Sequence, residues 1–315
     1  MQIYDLTHCK YSNRHGSYGG MAGDKDGVIF NNEFWIVKYP KSSKQFNTNL
    51  SVSYVSSPLS EFIGSNIYEI LGYDVHKTLL GYRNDKIVVA CKDFRGKNED
   101  LREMNKIKNA ANKELAEIYQ NVSFTSSSTG DRVQLQELLL HLKNNIVLSM
   151  VPGVTQRFWE TAVIDILIDN NDRNNGNWGI IYNADTDNCR LAPVYDNGNS
   201  FSNKASEEDI EKYLKEKDLE NRLIGGRTAY DYNGKTLSAK KLLNFENNDL
   251  KEALIKIVPI IEQKLPVILS FIDNIPTKYK DILVCSKSRK EYYKLGIEKR
   301  FDKLLLPAYK RNNCC

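Results

Sequence analysis

No stretch of this 315-residue chain approaches the roughly 20 consecutive apolar residues that a membrane-spanning helix requires. The N-terminus, MQIYDLTHCKYSNRHG, lacks an apolar core after its first charges, which argues against a secretory signal. Six cysteines (Cys9, Cys91, Cys189, Cys285, Cys314 and Cys315) form no CxxC pair, no other metal-ligand spacing and no regular disulfide framework. A reducing compartment is therefore expected, cytoplasmic by default, with export as an effector left open. Cys314 and Cys315 lack a CaaX pattern, so two exposed thiols on a frayed terminus are preferred to lipidation. Charge of one sign is also missing: 44 basic and 40 acidic residues leave a net +4, too weak a field to imply direct binding of nucleic acid. Internal repeats and low-complexity tracts are absent as well.

What is present is an ordinary folding composition, 41% apolar and 27% charged, in a chain long enough for two lobes. Residues 1–97 are mostly strand-like. Gln2–Leu6 alternates, a glycine-dense turn SYGGMAGDKDG follows, and FWIVKY resumes the β pattern. Leu59–Leu71 has helical spacing, with Pro58 near its start and Gly72 after its end. Lys77–Gly81 and the apolar run KIVVACK complete a small α+β lobe. From residue 98 to 315 the texture is helical: Leu101–Tyr119, Val133–Val147 and Gln156–Asp169 read as helices. A strand pair, Trp178–Tyr182 and Arg190–Val194, interrupts them. Everything from about Glu207 is expected to be helical, including Leu250–Ile272.

The chemistry concentrates in IDILIDNNDRNNGNWGII, residues 164–181. An apolar helical run ends in an Asn/Asp/Gly loop that passes at once into a strand. Asp172 and Asn177 stand five positions apart, the spacing at which a kinase catalytic loop places its acceptor-orienting Asp and its metal-binding Asn. A loop carboxylate accepts a hydroxyl proton; an asparagine nearby offers Mg²⁺ a neutral oxygen. After the strand Arg190–Val194 comes Tyr195-Asp196-Asn197-Gly198, where kinases carry D-F-G, so Asp196 is expected to be a second Mg²⁺ ligand. The catalytic set is thus Asp172, Asn177 and Asp196, the last two binding metal.

Upstream, Gly19, Gly20 and Gly23 fit a loop whose backbone N–H groups cover phosphates, although the spacing departs from G-x-G-x-x-G. Lys38 in W-I-V-K parallels the strand lysine that contacts the α- and β-phosphates. Glu61, in preference to Glu69, is its expected ion-pair partner. The backbone from Val89 to Cys91 is expected to run into the hinge and meet the adenine of ATP.

The loop NNDRNNGNWGII followed by LAPVYDNG resembles the HipA-like serine/threonine kinases, which share D-R-H-x-G-N with the phosphatidylinositol kinases. The stretch TLLGYRNDKIVVACKDF is similar to the CtkA branch of that family. The likeness covers about residues 1–200. It implies an α+β, two-lobed protein-kinase-like fold with a β-rich N-lobe and a mostly helical C-lobe. It also implies ATP and Mg²⁺ as cofactors and a protein Ser/Thr substrate. Asn174 stands where the family has His. The family further suggests autophosphorylation, with Ser17 in the glycine loop and Ser200 and Ser202 after D-N-G as candidates, and an antitoxin partner. Two other readings stay open. A lipid or small-molecule kinase would use the basic segment 287–303 as a membrane surface, though a solvated helix face is the preferred reading of it. A nucleotide-binding pseudokinase would follow from the missing His.

Overall fold

A computed structural model describes residues 1–14, 25–40 and 57–313. The residues fall into two compact units. One comprises residues 1–94, 196–224 and 260–300; the other comprises 95–195, 225–259 and 301–315. A single cut at 97 does not reproduce this division, because two later segments cluster with the first 94 residues.

The first unit is built on a sheet of strands β1 (Tyr4–Asp5), β2 (Lys25–Phe30), β3 (Glu33–Lys38), β4 (Thr78–Arg83) and β5 (Lys86–Lys92). Their spatial order is β1-β4-β5-β3-β2. Alternation divides the sheet into two faces. Leu6, Val28, Trp35, Val37, Tyr39, Val88 and Ala90 close one core. Helix α1 (Ser57–Ile70) packs against β4 and β5, burying Leu59, Glu61, Phe62, Ile63, Ser65 and Ile67 among others. Because β5 is covered on both faces it is apolar from Ile87 to Cys91, between its terminal lysines, as the run KIVVACK suggests. Arg83 stitches the N-terminal segment to the sheet: it donates to the carbonyls of Leu6, Thr7 and Cys9 and to the Tyr39 hydroxyl.

The second unit opens with β6 (Glu99–Glu103), α2 (Met104–Ile118), β7 (Val133–Gln134), α3 (Leu135–Asn144) and α4 (Ile146–Ser149). It continues with α5 (Val154–Ile168), β8 (Gly179–Asn183) and β9 (Asn188–Leu191). The expected helix at Leu101–Tyr119 thus starts later, since residues 99–103 pair antiparallel with β8, Leu101 opposite Ile181. Pairing across 80 residues of sequence overrides the local helical pattern. The expected helix at Val133–Val147 is likewise divided: Val133–Gln134 is strand, and Asn145 ends α3 and caps α4 through its side-chain oxygen.

The segment after residue 207 is not all helix. Helices α6 (Glu207–Leu214) and α7 (Leu219–Ile224) precede a hairpin of β10 (Arg227–Tyr232) and β11 (Lys235–Ser238), and β10 also pairs with β7. Asn233 and Gly234 both have positive φ (49° and 71°), the geometry of a two-residue hairpin turn that Asn-Gly favours. Then follow α8 (Ala239–Leu242), α9 (Asn248–Asp273), the short pair β12 (Lys278–Tyr279) and β13 (Ile282–Leu283), and α10 (Lys287–Arg300). A π-helical turn, Phe301–Leu305, leads into α11 (Leu306–Asn313).

Three basic residues of helix α10 turn inward and do not belong to its solvated face. Arg289 pairs with Glu207 at 2.6 Å, Lys290 donates to the carbonyls of Asp273 and Ile275, and Arg300 donates to the carbonyl of Leu223. All three side chains are buried. No described helix is long and apolar enough to cross a membrane.

Close backbone approach fixes β8 against β6: a Cβ placed on Gly179 would lie 2.1 Å from the carbonyl oxygen of Arg102. Gly179→Ala is expected to destabilise the protein by about 3 kcal/mol. The signature is a lower urea midpoint with an unchanged slope; an unchanged midpoint would contradict this register.

Candidate active site

In β3, the residues that alternate with Trp35 and Val37 point to the α1 side of the sheet, and Lys38 is the last of them. Its ammonium donates to Glu61 Oε2 at 2.6 Å and to Asp196 Oδ1 at 3.0 Å. Glu61, on the buried face of α1, is 1% exposed. Burial alone would raise its carboxyl, but Lys38 and His76 beside it hold it well below the usual carboxylate range. Burial likewise opposes the Lys38 charge, yet Asp196 and Glu61 hold the ammonium well above the ordinary lysine value. This is a charged pair at neutral pH, shared by a third group. Asp196 itself adopts φ 60°, a left-handed conformation that Asp tolerates better than most residues.

Glu61 is held from its other side too. Its Oε1 lies 3.0 Å from His76 Nε2 and accepts the Asn197 backbone N–H at 2.9 Å. Ser65, one helical turn from Glu61, lies 3.0 Å from His76 Nε2 and accepts from the Asn197 side chain at 3.0 Å. Ser65, His76 and Asn197 are all buried. The network ties α1, the connection to β4 and the Asp-Asn-Gly turn to one carboxylate. Sequence reasoning names none of these three as a site residue.

The expected role of Val89 and Cys91 needs correction. β5 is the central strand: Val89 lies opposite Lys38 on one side and Leu80 on the other, and Cys91 opposite Ile36 and Thr78. Their backbone groups belong to the two ladders and do not present a hinge to adenine. Instead the Cys91 side chain reaches the Lys38 face, its sulfur within 4.8 Å of ligand atoms of Glu61 and His76. Burial pushes this thiol far up, so it stays protonated there.

In the second unit, α5 ends with Asp169 in the left-handed conformation, and the loop expected to be catalytic follows. Arg173 organises it. Its guanidinium makes a bidentate pair with Asp165 of α5 (2.9 and 3.0 Å) and donates to the carbonyls of Asn177 and Tyr195. The residue before Asp196 is thereby fastened to the loop. Asn174 donates to Asp172 Oδ1 at 2.9 Å, while its own oxygen accepts the Gly176 N–H at 2.8 Å. Asn177 donates to the Asp172 carbonyl at 2.6 Å. The loop also carries Asn175, whose carbonyl accepts the Asn105 N–H at the start of α2.

Both proposed metal donors have the chemistry a hard cation takes. The Asn177 amide oxygen has no hydrogen-bond partner among the described residues, and Asp196 uses only Oδ1 on Lys38. Gly19, Gly20, Gly23 and Ser17 lie outside the described residues. Ser200 is fully buried and its hydroxyl donates to the Asn197 carbonyl at 2.8 Å, so in this conformation it serves the turn and is not presented as an acceptor. Ser202 is half-buried, with φ 52°.

A strand lysine paired with a helix glutamate and a D-N-G aspartate, in a chain that also carries a D-R-x-x-G-N loop, defines a kinase of the two-lobed α+β fold. The comparisons with known proteins agree. No family model matches the sequence. The serine/threonine-protein kinase CtkA of Helicobacter pylori (strain J99) is 30% identical over 316 residues, covering 99% of this chain and 89% of the relative. The crystal structure of the H. pylori proinflammatory kinase CtkA matches with TM-score 0.83 and 29% identity, covering 99% of this chain and 98% of that one. A chain of the HipA–HipB toxin–antitoxin complex with operator DNA from Shewanella oneidensis MR-1 matches at TM-score 0.51 and 13% identity, over 93% of this chain and 67% of that one, a likeness of fold. The chain belongs to the family of the serine/threonine-protein kinase CtkA, and it is a phosphotransferase.

The depressed Glu61 carboxyl carries a pH signature. Its contribution to stability is present above the unfolded value, near 4.5, and is lost as pH falls toward the lower folded value. Glu61→Gln should therefore cost about 3–5 kcal/mol near neutrality, by leaving Lys38 short of a partner. Its deficit relative to wild type should shrink below the ordinary glutamate value of 4.5. Urea titrations across that range check this; a pH-independent deficit would refute it.

Proposed function

We propose that this kinase transfers the γ-phosphoryl group of ATP to a protein Ser/Thr hydroxyl, using Asp172, Asn177, Asp196 and Lys38 in the roles their motifs suggest. The observation that carries the reading is the Lys38 ammonium held between Glu61 and Asp196. The same contacts that stabilise that charge fix its position for the nucleotide phosphates. Asp172 receives the acceptor's proton as the acceptor oxygen bonds to the γ-phosphorus and the bond to the ADP oxygen breaks. Asn174, by donating to one Asp172 oxygen, holds the carboxylate in orientation. Kinases in general need ATP and a divalent cation; here Asn177 and Asp196 are assigned to Mg²⁺, which when bound neutralises charge on the phosphates. With Val89–Cys91 paired in the sheet, the backbone that meets adenine is assigned beyond Asp93, whose N–H already bonds the Phe34 carbonyl.

Two features favour a protein acceptor over the other readings. Three basic groups of α10 that a lipid kinase would turn to a membrane, Arg289, Lys290 and Arg300, are engaged internally. The missing His, the sign of a pseudokinase, is answered by a hydrogen bond from Asn174. Autophosphorylation is proposed at Ser202 and at Ser17, the latter as an inhibitory site, because phosphate there would repel those of ATP. An antitoxin partner is proposed from likeness of fold to HipA, and location is kept as cytoplasmic with export open.

With Mg²⁺ and γ-labelled ATP, the wild type should label itself or a generic protein acceptor. Asp172→Ala should lower the rate by ~10²–10⁴-fold while retaining ATP binding. Undiminished labelling by the variant would remove Asp172 from the mechanism. ATP binding with no transfer to protein, lipid or small acceptors would make the chain a pseudokinase.

A further inference from the structure

Strand β2 carries a second lysine on the face that bears Lys38. Asn31 and Asn32 both have positive φ (49° and 60°), the geometry of a two-residue turn that closes β2 and β3 into a hairpin. From that turn the register runs unbroken, from Phe30 opposite Glu33 to Lys25 opposite Lys38. Val28, Trp35 and Val37 close the core on one side of the sheet. By alternation Lys25 and Lys38 therefore both project to the other side, toward α1.

The pair is also of the closer kind. The Gly27 carbonyl accepts the Ser12 N–H, and the Ile29 N–H donates to the Lys10 carbonyl. The odd-numbered residues of β2 thus turn their backbone polar groups away from β3. By the same parity Lys25 and Lys38 form a non-hydrogen-bonded pair, the arrangement that brings opposing side chains nearest, with Cβ atoms about 4.5–5.5 Å apart.

Like charges directly opposite one another destabilise a sheet. The cost falls on the half-buried Lys25: burial first, and then the Lys38 ammonium, hold it below the ordinary lysine value, while Asp196 foremost acts the other way. Glu61 Oε2 and Asp196 Oδ1 are meanwhile bonded to Lys38. Two ammonium groups placed in this way are relieved by a multiply charged anion that both can contact, and a phosphate chain is such an anion. In sequence, Lys25 stands two residues after Gly23, the last glycine of the stretch expected to cover the phosphates. Resting on the kinase reading above, we infer that Lys25 is a second phosphate-binding residue of this site. Its ammonium and that of Lys38 contact the phosphate chain of ATP together, which makes Lys25 a determinant of affinity for the nucleoside triphosphate over the bare nucleoside.

The test measures binding of ATP and of adenosine to the full chain by calorimetry in the presence of Mg²⁺. The proteins compared are the wild type, Lys25→Met, Lys25→Arg and Lys38→Met. Methionine keeps most of the apolar stem of Lys25 and removes its charge. Lys25→Met should weaken ATP binding ~10-fold or more, as expected for a lost hydrogen bond to a charged group, and leave adenosine binding unchanged. Lys25→Arg should restore most of the loss. Without nucleotide, Lys25→Met should have a urea midpoint equal to that of the wild type or higher, because the repulsion from Lys38 is gone. Unchanged ATP affinity in Lys25→Met overturns the proposal, and so do equal losses for ATP and adenosine. A lower urea midpoint overturns it too, since a residue that serves only the fold gives that result. So does a fall in turnover at unchanged ATP affinity, which would assign Lys25 to holding Asp196. Failure of the kinase reading itself looks different: Lys38→Met would then also leave ATP binding intact, and the wild type would not prefer ATP to adenosine.

Discussion

The ammonium of Lys38 is the charge around which the first unit is arranged. A largely buried cation is tolerated only where anions and hydrogen bonds surround it, and here both partners come from distant sequence: Glu61 from a helix and Asp196 from a turn 158 residues away. Glu61 must then be satisfied in turn, which brings in His76 and the Asn197 N–H. Each further link removes freedom from another element. The register of β3 on β5, the rotation of α1 about its axis and the backbone of the Asp-Asn-Gly turn are set by one connected group of polar atoms. Such networks are costly when partly satisfied. That requirement keeps the lysine where the proposed mechanism calls for a positive charge.

Arg173 plays the corresponding part in the second unit through hydrogen-bond geometry. Four of its hydrogen bonds reach α5, the loop's own Asn177 carbonyl and the Tyr195 carbonyl, so helix, loop and the approach to Asp196 share one buried guanidinium. Lysine could not make the paired contact with Asp165 while serving two carbonyls in other directions. The D-R dipeptide thus joins the proposed catalytic residue, Asp172, to a structural one, and the loop's asparagines orient inward on that frame.

The order of motifs makes Lys38, Glu61, Asp172, Asn177 and Asp196 legible in the amino-acid sequence, because each carries a residue type that its position makes chemically meaningful. The supports are harder to see. His76 lies in no motif, and its partner Ser65 is marked only by helical spacing from Glu61. Asp165 does leave a trace, as an acid within the apolar run of α5. The hinge expected at Val89–Cys91 fails because an apolar run announces a buried strand but not whether both its edges are paired. The helix expected at 101–119 fails at its first residues for a related reason, a partner strand far away in sequence. The hairpin at 227–238 differs from these: Asn233-Gly234 flanked by alternating residues is a local signal, masked by the helical texture around it.

Asn174 shows how a departure from a family pattern is weighed. The Gly176 N–H must be met by an acceptor, which fixes the Asn174 oxygen on that side and turns its NH₂ toward the Asp172 carboxylate. A histidine in the same place would also donate one N–H, but it would gain or lose a proton within the neutral range and change the field at Asp172 as it did so. The amide does not titrate. It keeps the orienting hydrogen bond and gives up the charge, so what Asn174 alters is the electrostatic setting of Asp172, while its alignment is retained.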